Sequence, residues 1–319
     1  GAALVGVGFN IKMLQVLLVV PALVVFYLVG SPLPWRERLK HSGLAFLVAV
    51  AVSAPWVLAV ELTPAERRPY VGGSMMNSVV ELIFVYNGIA RLWSEDFSSY
   101  LGAPGPLRLF TPKLAGQASW LLPFVLFGLA AALWRSCRHA DLPSEALSRR
   151  RALLLWLGWA IPQLIYFSIS LFYHRYYLAM LAPAVAALTG IAVDVLWAGW
   201  QSGGWQRGWG ALALVGSAGV QSLFLSAYPA WGQWLIPAVL GLCVMAAVGL
   251  VLPWRLSVRR AHAAFLVGIM ALHVAPAVWA AIPVFTCANM TLPVAGPQPQ
   301  PCWPFEIRPF LDRDLAAYL

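Results

Sequence analysis

Eight stretches of the chain are apolar for long enough to cross a hydrocarbon core, at about 14–30, 42–60, 118–134, 152–171, 178–200, 209–228, 234–252 and 261–285. Each approaches the roughly 17–25 residues that a transmembrane helix needs. Residues 1–9 read as the tail of another span, because the chain opens inside an apolar run without an initiator Met, and residues 314–319 read as a helix cut short. Between the second and third spans lies a polar, aromatic and turn-rich segment of 57 residues, 61–117. Loops beyond roughly 12–15 residues are uncommon in compact proteins and tend to carry function. The centre of this one, 69–92, has the pattern of a short amphipathic helix at the bilayer surface, with Val80, Ile83 and Phe84 on its apolar side. The expected architecture is all-α: a polytopic membrane protein of about eight to nine transmembrane helices with an outer juxtamembrane helix. It divides into 1–60, the loop 61–117, a six-helix region 118–285, and a Pro-rich linker 286–319 leading toward an extracytoplasmic domain.

Composition agrees with the pattern. The chain is 61% hydrophobic and 10% charged, with a mean hydropathy of +0.75, whereas a soluble domain carries about a quarter charged residues. Its net charge of +9 is explained by topology rather than by nucleic acid, which needs a basic patch on a folded face. Twelve basic residues (Arg36, Arg38, Lys40, Arg135, Arg138, Arg149, Arg150, Arg151, Arg207, Arg255, Arg259 and Arg260) fall in the short connections of one side. Eight fall in the much longer loops of the other: Arg67, Arg68, Arg91, Arg108, Lys113, Arg175, Arg308 and Arg313. Positive charge in short loops marks the cytoplasmic side, so 61–117, 172–177 and 286–319 are expected to be extracytoplasmic in a cell-membrane protein. Trp35, Trp134, Trp197, Trp200 and Trp254 sit where an interfacial aromatic belt belongs. Pro21, Pro55, Pro162, Pro183 and Pro276 fall within spans, which membrane helices tolerate. Cys287 and Cys302 share the outer tail, where a disulfide persists if the two approach, and the sequence leaves bridged and free states open. Asn289 heads a formal glycosylation sequon.

The polar residues that remain suggest chemistry at the outer membrane surface. Lys12 either snorkels to the headgroups or supplies a cation for a lipid phosphate. Asn77 and Glu81, like Asn87 and Arg91, stand four apart and would share a helix face, while Tyr86, Asn87 and Gly88 form a turn signal that interrupts the helix. Amides, aromatic faces, one carboxylate and one guanidinium suit a sugar. His174, Arg175, Tyr176 and Tyr177 crowd a tight outer turn that only has to reverse direction, which points to a phosphate or pyrophosphate contact. Asp194, near the inner end of its span, is expected to reach the interface or pair with an arginine, and His273 to pack mid-span as a neutral, hydrogen-bonded group. No P-loop, dinucleotide-binding glycines, zinc spacing or nucleophile elbow occurs, so neither metal nor cofactor is expected.

Several runs together resemble the membrane glycosyltransferases of family 39, nearest to the bacterial mannosyltransferases of the aminoarabinose-transferase-like group. They are GVGFNIKMLQ at 6–15, LTPAERRPYV at 62–71, NSVVEL at 77–82 with YNG at 86–88, LAGQASWLLP at 114–123, HRYYL at 174–178 and LPVAGP at 292–297. The resemblance implies transfer of a sugar from a polyprenyl-phosphate donor to an extracytoplasmic acceptor. It implies that Lys12, Arg175 and Tyr177, with His174 and Tyr176 beside them, bind the lipid phosphate. It further implies that the 69–92 helix (Tyr70, Asn77, Glu81, Tyr86, Asn87, Arg91) and Gln117 line the sugar or acceptor cavity. In that family the catalytic aspartate stands in the first outer loop, which would lie upstream of residue 1, so this chain by itself is expected to be inactive. The runner-up reading is a membrane transporter or lipid flippase, whose polar residues would cluster at the bilayer midplane rather than at helix ends. A scaffold for another membrane subunit is a third.

Overall fold

The computed structural model describes residues 1–93, 101–138, 143–252, 257–286 and 292–297. The Cys287–Cys302 pairing, the Asn289 sequon and the tail beyond Pro297 lie outside them. Nine long helices occur among the described residues: α1 (Ala2–Lys12), α2 (Val20–Gly30), α3 (Trp35–Glu61), α4 (Leu122–Arg138), α5 (Pro143–Ile169), α6 (Ala182–Ser202), α7 (Arg207–Ser226), α8 (Pro229–Val251) and α9 (Val258–Phe285). Six segments, comprising α3, α5 from Leu147, α6 with the turn before it, α7 with the turn before it, α8 and α9, are long and apolar enough to cross a bilayer, and α4 is a shorter apolar helix. The chain is a multi-pass membrane protein.

The first span departs from expectation. Instead of one helix over 14–30, α1 continues as the 3-10 turn Met13–Leu18 and meets α2 at 69°. Met13 has φ +41°, a conformation that side-chain-bearing residues rarely adopt, so the α-helix stops at Lys12. Pro21 and Pro183 stand in the first turns of α2 and α6, where the missing amide hydrogen costs nothing. They start helices rather than interrupt them. Pro55, Pro162 and Pro276 are inside α3, α5 and α9, as the pattern predicts.

The helices form two sets. In one, α4, α6, α7, α8 and α9 pack around Phe124, Leu196, Leu214, Phe224, Phe265 and Trp279. Small residues set the closest approaches: a Cβ on Gly128 would lie 2.2 Å from that of Ala192, so only glycine lets α4 meet α6. In the other set α1 lies on α3 and α2 on α5. Alternation along the chain brings 62–93, 101–121, 170–174, 227–228 and 292–297 to one end of the bundle, hereafter the loop end. Contacts tie them there: Tyr228 Oη donates to Pro112 O at 3.2 Å, and the amides of Leu171 and Phe172 donate to Arg91 O at 2.9 and 3.2 Å. The short connections at the opposite, arginine-rich end hold Arg36, Arg38, Arg149, Arg150 and Arg207 near them.

Residues 292–297 lie across the loop end as a strap. Gln117 donates to Ala295 O at 2.9 Å and accepts from Ala295 N at 3.0 Å, while Gly296 N reaches Trp279 O at 3.0 Å. Gly296 has φ +91°, and a Cβ there would fall 2.0 Å from Trp279 Nε1. Gly296→Ala is therefore expected to release the strap without disturbing the helices. Hydrogen exchange should show faster exchange at 294–296 and unchanged protection in α9; unchanged exchange at 294–296 would contradict the strap.

Candidate functional site

The loop end is built on Glu61, the last residue of α3. Its carboxylate accepts from Ser78 Oγ at 3.0 Å, from Val79 N at 2.9 Å, and from Arg68 Nη1 at 3.4 Å. Ser78 caps the helix that follows, its Oγ accepting from Glu81 N at 3.2 Å. The Glu81 carboxylate reaches back to the amides of Met75 and Met76 at 3.0 and 2.8 Å, a reciprocal arrangement like a capping box. Asn77 has φ +52° and accepts from Val71 N at 2.6 Å. It precedes the helix, whose cap is Ser78, and so does not share a helix face with Glu81.

The juxtamembrane helix runs from Val79 to Trp93, with a π-helical stretch over Leu82–Ile89 at its centre. The YNG signal widens the turn instead of breaking the helix, and Asn87 Nδ2 donates to Leu82 O at 3.0 Å. Such insertions recur at functional sites because they re-aim side chains. Here Asn87 and Arg91 both turn toward the break between α1 and α2.

A cavity of about 200 Å³ opens at that break, lined by Lys12, Met13, Gln15, Asn87, Arg91, Tyr166 and Tyr177, with Ile11 at its edge. Lys12 Nζ stands 3.5 Å from Tyr176 Oη and 4.5 Å from the centre of the Tyr177 ring. The Arg91 guanidinium lies 4.7 Å over Tyr86 and 4.4 Å over Phe172, is 4% exposed, and has a buried Nη1 without a hydrogen-bond partner. Cation–π contacts of this kind hold a cation without neutralising it. The lining set thus carries two cations, two phenols and two amides, and no carboxylate among the described residues.

The expected site residues fall into distinct places. Lys12, Tyr177, Asn87 and Arg91 meet in the cavity. His174 and Tyr176 flank it, their rings stacked 5.5 Å apart, and Tyr86 supports Arg91 from below. Arg175 is buried at the start of the 3-10 turn Arg175–Leu181, outside the lining set. Tyr70 is 85% exposed on the loop surface. Asn77 and Glu81 bind the loop backbone, and Gln117 holds the strap. Gln15 and Tyr166 were not singled out from sequence; Gln15 is the one amide in an otherwise apolar run, a signal that was available, whereas Tyr166 looks like any interfacial tyrosine.

Arg108 is a further residue the sequence does not flag. It is 1% exposed, donates to Ser170 O and to Phe167 O (the latter at 3.5 Å), and lies 5.4 Å over the Tyr173 ring. Burial lowers its proton affinity and raises that of the Tyr173 hydroxyl to about 12. Arg108 and the Gly105 amide, which donates to Ser168 O at 3.0 Å, fasten the long loop to the end of α5 beneath the His174 turn.

Burial, reinforced by Arg91 and Lys12, lowers the proton affinity of His174 below its ordinary 6.5. The folded chain then binds a proton less readily than the unfolded one, so this contribution is complete above pH 6.5 and is lost as pH falls from there toward the lower folded value. Acidification through that window is expected to lower the unfolding midpoint, and His174→Gln to flatten the decline. Identical pH slopes for the two proteins would contradict a neutral His174.

Residues 1–58 match the model of the dolichyl-phosphate-mannose-protein mannosyltransferase family, which takes in Lys12 but stops short of the juxtamembrane helix. Two proteins of Bacillus subtilis (strain 168) align along most of the chain. "Putative mannosyltransferase YkcB" is 29% identical over 92% of this chain and 54% of its own length. "Putative mannosyltransferase YycA" is 28% identical over 93% of this chain and 55% of its own. The chain therefore spans about half the length of the curated relatives it matches. No solved structure gives a significant match. Over more than nine-tenths of its length the chain is similar to bacterial proteins named as mannosyltransferases, and it carries the family-39-type resemblance that its own motifs suggest.

Proposed function

We propose that this chain is the membrane part of a glycosyltransferase that takes a sugar, mannose in the first instance, from a polyprenyl-phosphate donor and passes it to an acceptor on the extracytoplasmic side. The observation that carries the reading is the cavity at the α1–α2 break, where Lys12 and Arg91 face the same space without a carboxylate among the described lining residues. Breaking a glycosyl-phosphate bond leaves negative charge on the departing phosphate, and cations already in position stabilise that charge as it forms. Lys12, Arg91 and the Tyr177 hydroxyl would take the phosphate, with Tyr176 and a neutral His174 holding Lys12 in place. Arg175, buried two residues before Tyr177, adds positive potential from within the bundle. Asn87, Gln15 and Tyr166 lie around the same space and suit sugar hydroxyls, a role assigned from sequence to a wider set.

The carboxylate that would deprotonate the acceptor is expected in the loop that the resemblance places ahead of residue 1. The sidedness rests on the arginine-rich end, whose short connections fit the cytoplasmic face. A hydrocarbon-bound donor would enter laterally, since the cavity lies between the α1–α2 break and the juxtamembrane helix.

Membranes containing the full-length protein, given labelled polyprenyl-phosphate mannose, test the reading. Lys12→Ala and Arg91→Ala are each expected to lower transfer by roughly 10²-fold or more, the usual cost of removing one preorganised charge-stabilising group. Lys12→Arg should recover part of the loss. Gln117→Ala should retain most activity, since its amide is engaged with Ala295. Near-normal transfer by both Ala variants, or transfer that requires neither the donor phosphate nor these cations, would overturn the assignment.

A further inference from the structure

A second, larger concavity lies between α2 and α5, on the side toward the arginine-rich end. It measures about 660 Å³ and is walled by Pro21 and Val25 of α2 and by Leu157 and Ile161 of α5, with Arg149 and Arg150 at one end. The helices touch beside it, where Gly158 lets the backbone of Ala22 approach: a Cβ on Gly158 would lie 3.1 Å from Ala22 Cα. The walls are almost wholly hydrocarbon and the guanidinium groups are confined to the end nearest the helix start.

We propose that this groove is a binding site for an anionic phospholipid, which lays one acyl chain between α2 and α5 and sets its phosphate against Arg149 and Arg150. Three features carry the assignment. From Arg150 to Ile161 the helix rises roughly 16 Å at about 1.5 Å per residue, close to half of a hydrocarbon core of about 30 Å, so the groove has the depth of one leaflet's chain. Arg149 and Arg150 bring two positive charges to that end, the complement of an anionic headgroup. Basic pockets between membrane helices are the usual seats of anionic headgroups. The prenyl tail of a donor held at Lys12 would also find apolar walls here. It has no charge to set against an arginine pair at the far end, and a phospholipid does.

Native mass spectrometry of the purified protein, offered phosphatidylglycerol and phosphatidylcholine with identical acyl chains, tests the site without reference to sugar transfer. Phosphatidylglycerol is expected to be retained in preference and to raise the unfolding midpoint. The double variant Arg149→Gln/Arg150→Gln should lose that preference by roughly tenfold, and Arg149→Lys/Arg150→Lys should keep most of it. Equal retention of the two lipids by the unaltered protein would overturn the proposal, and so would an unchanged preference in the double Gln variant. If polyprenyl phosphate displaces the phospholipid from the unaltered protein but not from Lys12→Ala, the groove belongs to the donor and the proposal is wrong, whatever the outcome of the transfer assay.

Discussion

A positive charge beside hydrocarbon, with no carboxylate to answer it, is costly, and one cavity here brings two cations together with no carboxylate among its described lining residues. Lys12 is retained by the faces and hydroxyls of Tyr176 and Tyr177, and Arg91 by Tyr86 and Phe172. Aromatic rings lower the cost of burying Arg91 and hold the exposed Lys12 while leaving both charged. Carboxylates in their place would have made a stable but electrically spent site. The geometry therefore stores an attraction for an anion, and the buried Nη1 of Arg91 is where that attraction is least satisfied. Burial, reinforced by the same two charges, lowers the proton affinity of His174.

Keeping the two cations together requires a loop that does not wander. Most of the conspicuous polar residues serve that need. Glu61 gathers the start of the juxtamembrane helix, Glu81 and Asn77 close the turn before it, and Arg108 anchors the segment after it to α5. Each of these side chains satisfies backbone groups that would otherwise be left without partners close to the bilayer, where water is scarce. The main chain of Arg91 takes part as well, accepting from Ser170 Oγ and from the amides of Leu171 and Phe172. The residue that presents the guanidinium is thus fixed to the turn that carries His174, Tyr176 and Tyr177.

The break between α1 and α2 complements this rigidity. A continuous helix through Lys12 would point successive side chains outward at regular angles and leave no concavity. The left-handed Met13 and the 69° bend open space beside Lys12 and Gln15, and the π-helical stretch over Leu82–Ile89 turns Asn87 and Arg91 into it. Two local departures from regular helix, on segments more than sixty residues apart, face each other across the cavity.

The all-α membrane architecture, six of the eight expected spans, the grouping of connections at two ends and the resemblance to membrane glycosyltransferases were legible in the sequence, because hydrocarbon imposes length, apolarity and charge bias on every span. Lys12 and the 174–177 cluster stood out for a related reason: ionisable groups near membrane depth are rare enough to be noticed. Division of labour among the loop's polar residues was decided only in three dimensions. Sequence gives Asn77, Glu81, Asn87, Arg91 and Gln117 the same standing, since a side chain that binds its own loop and one that faces a cavity are the same residue type. Whether Gln117 reaches a ligand or Ala295, and whether Arg91 joins Lys12 or a solvated helix face, depends on long-range packing between segments that no local pattern relates.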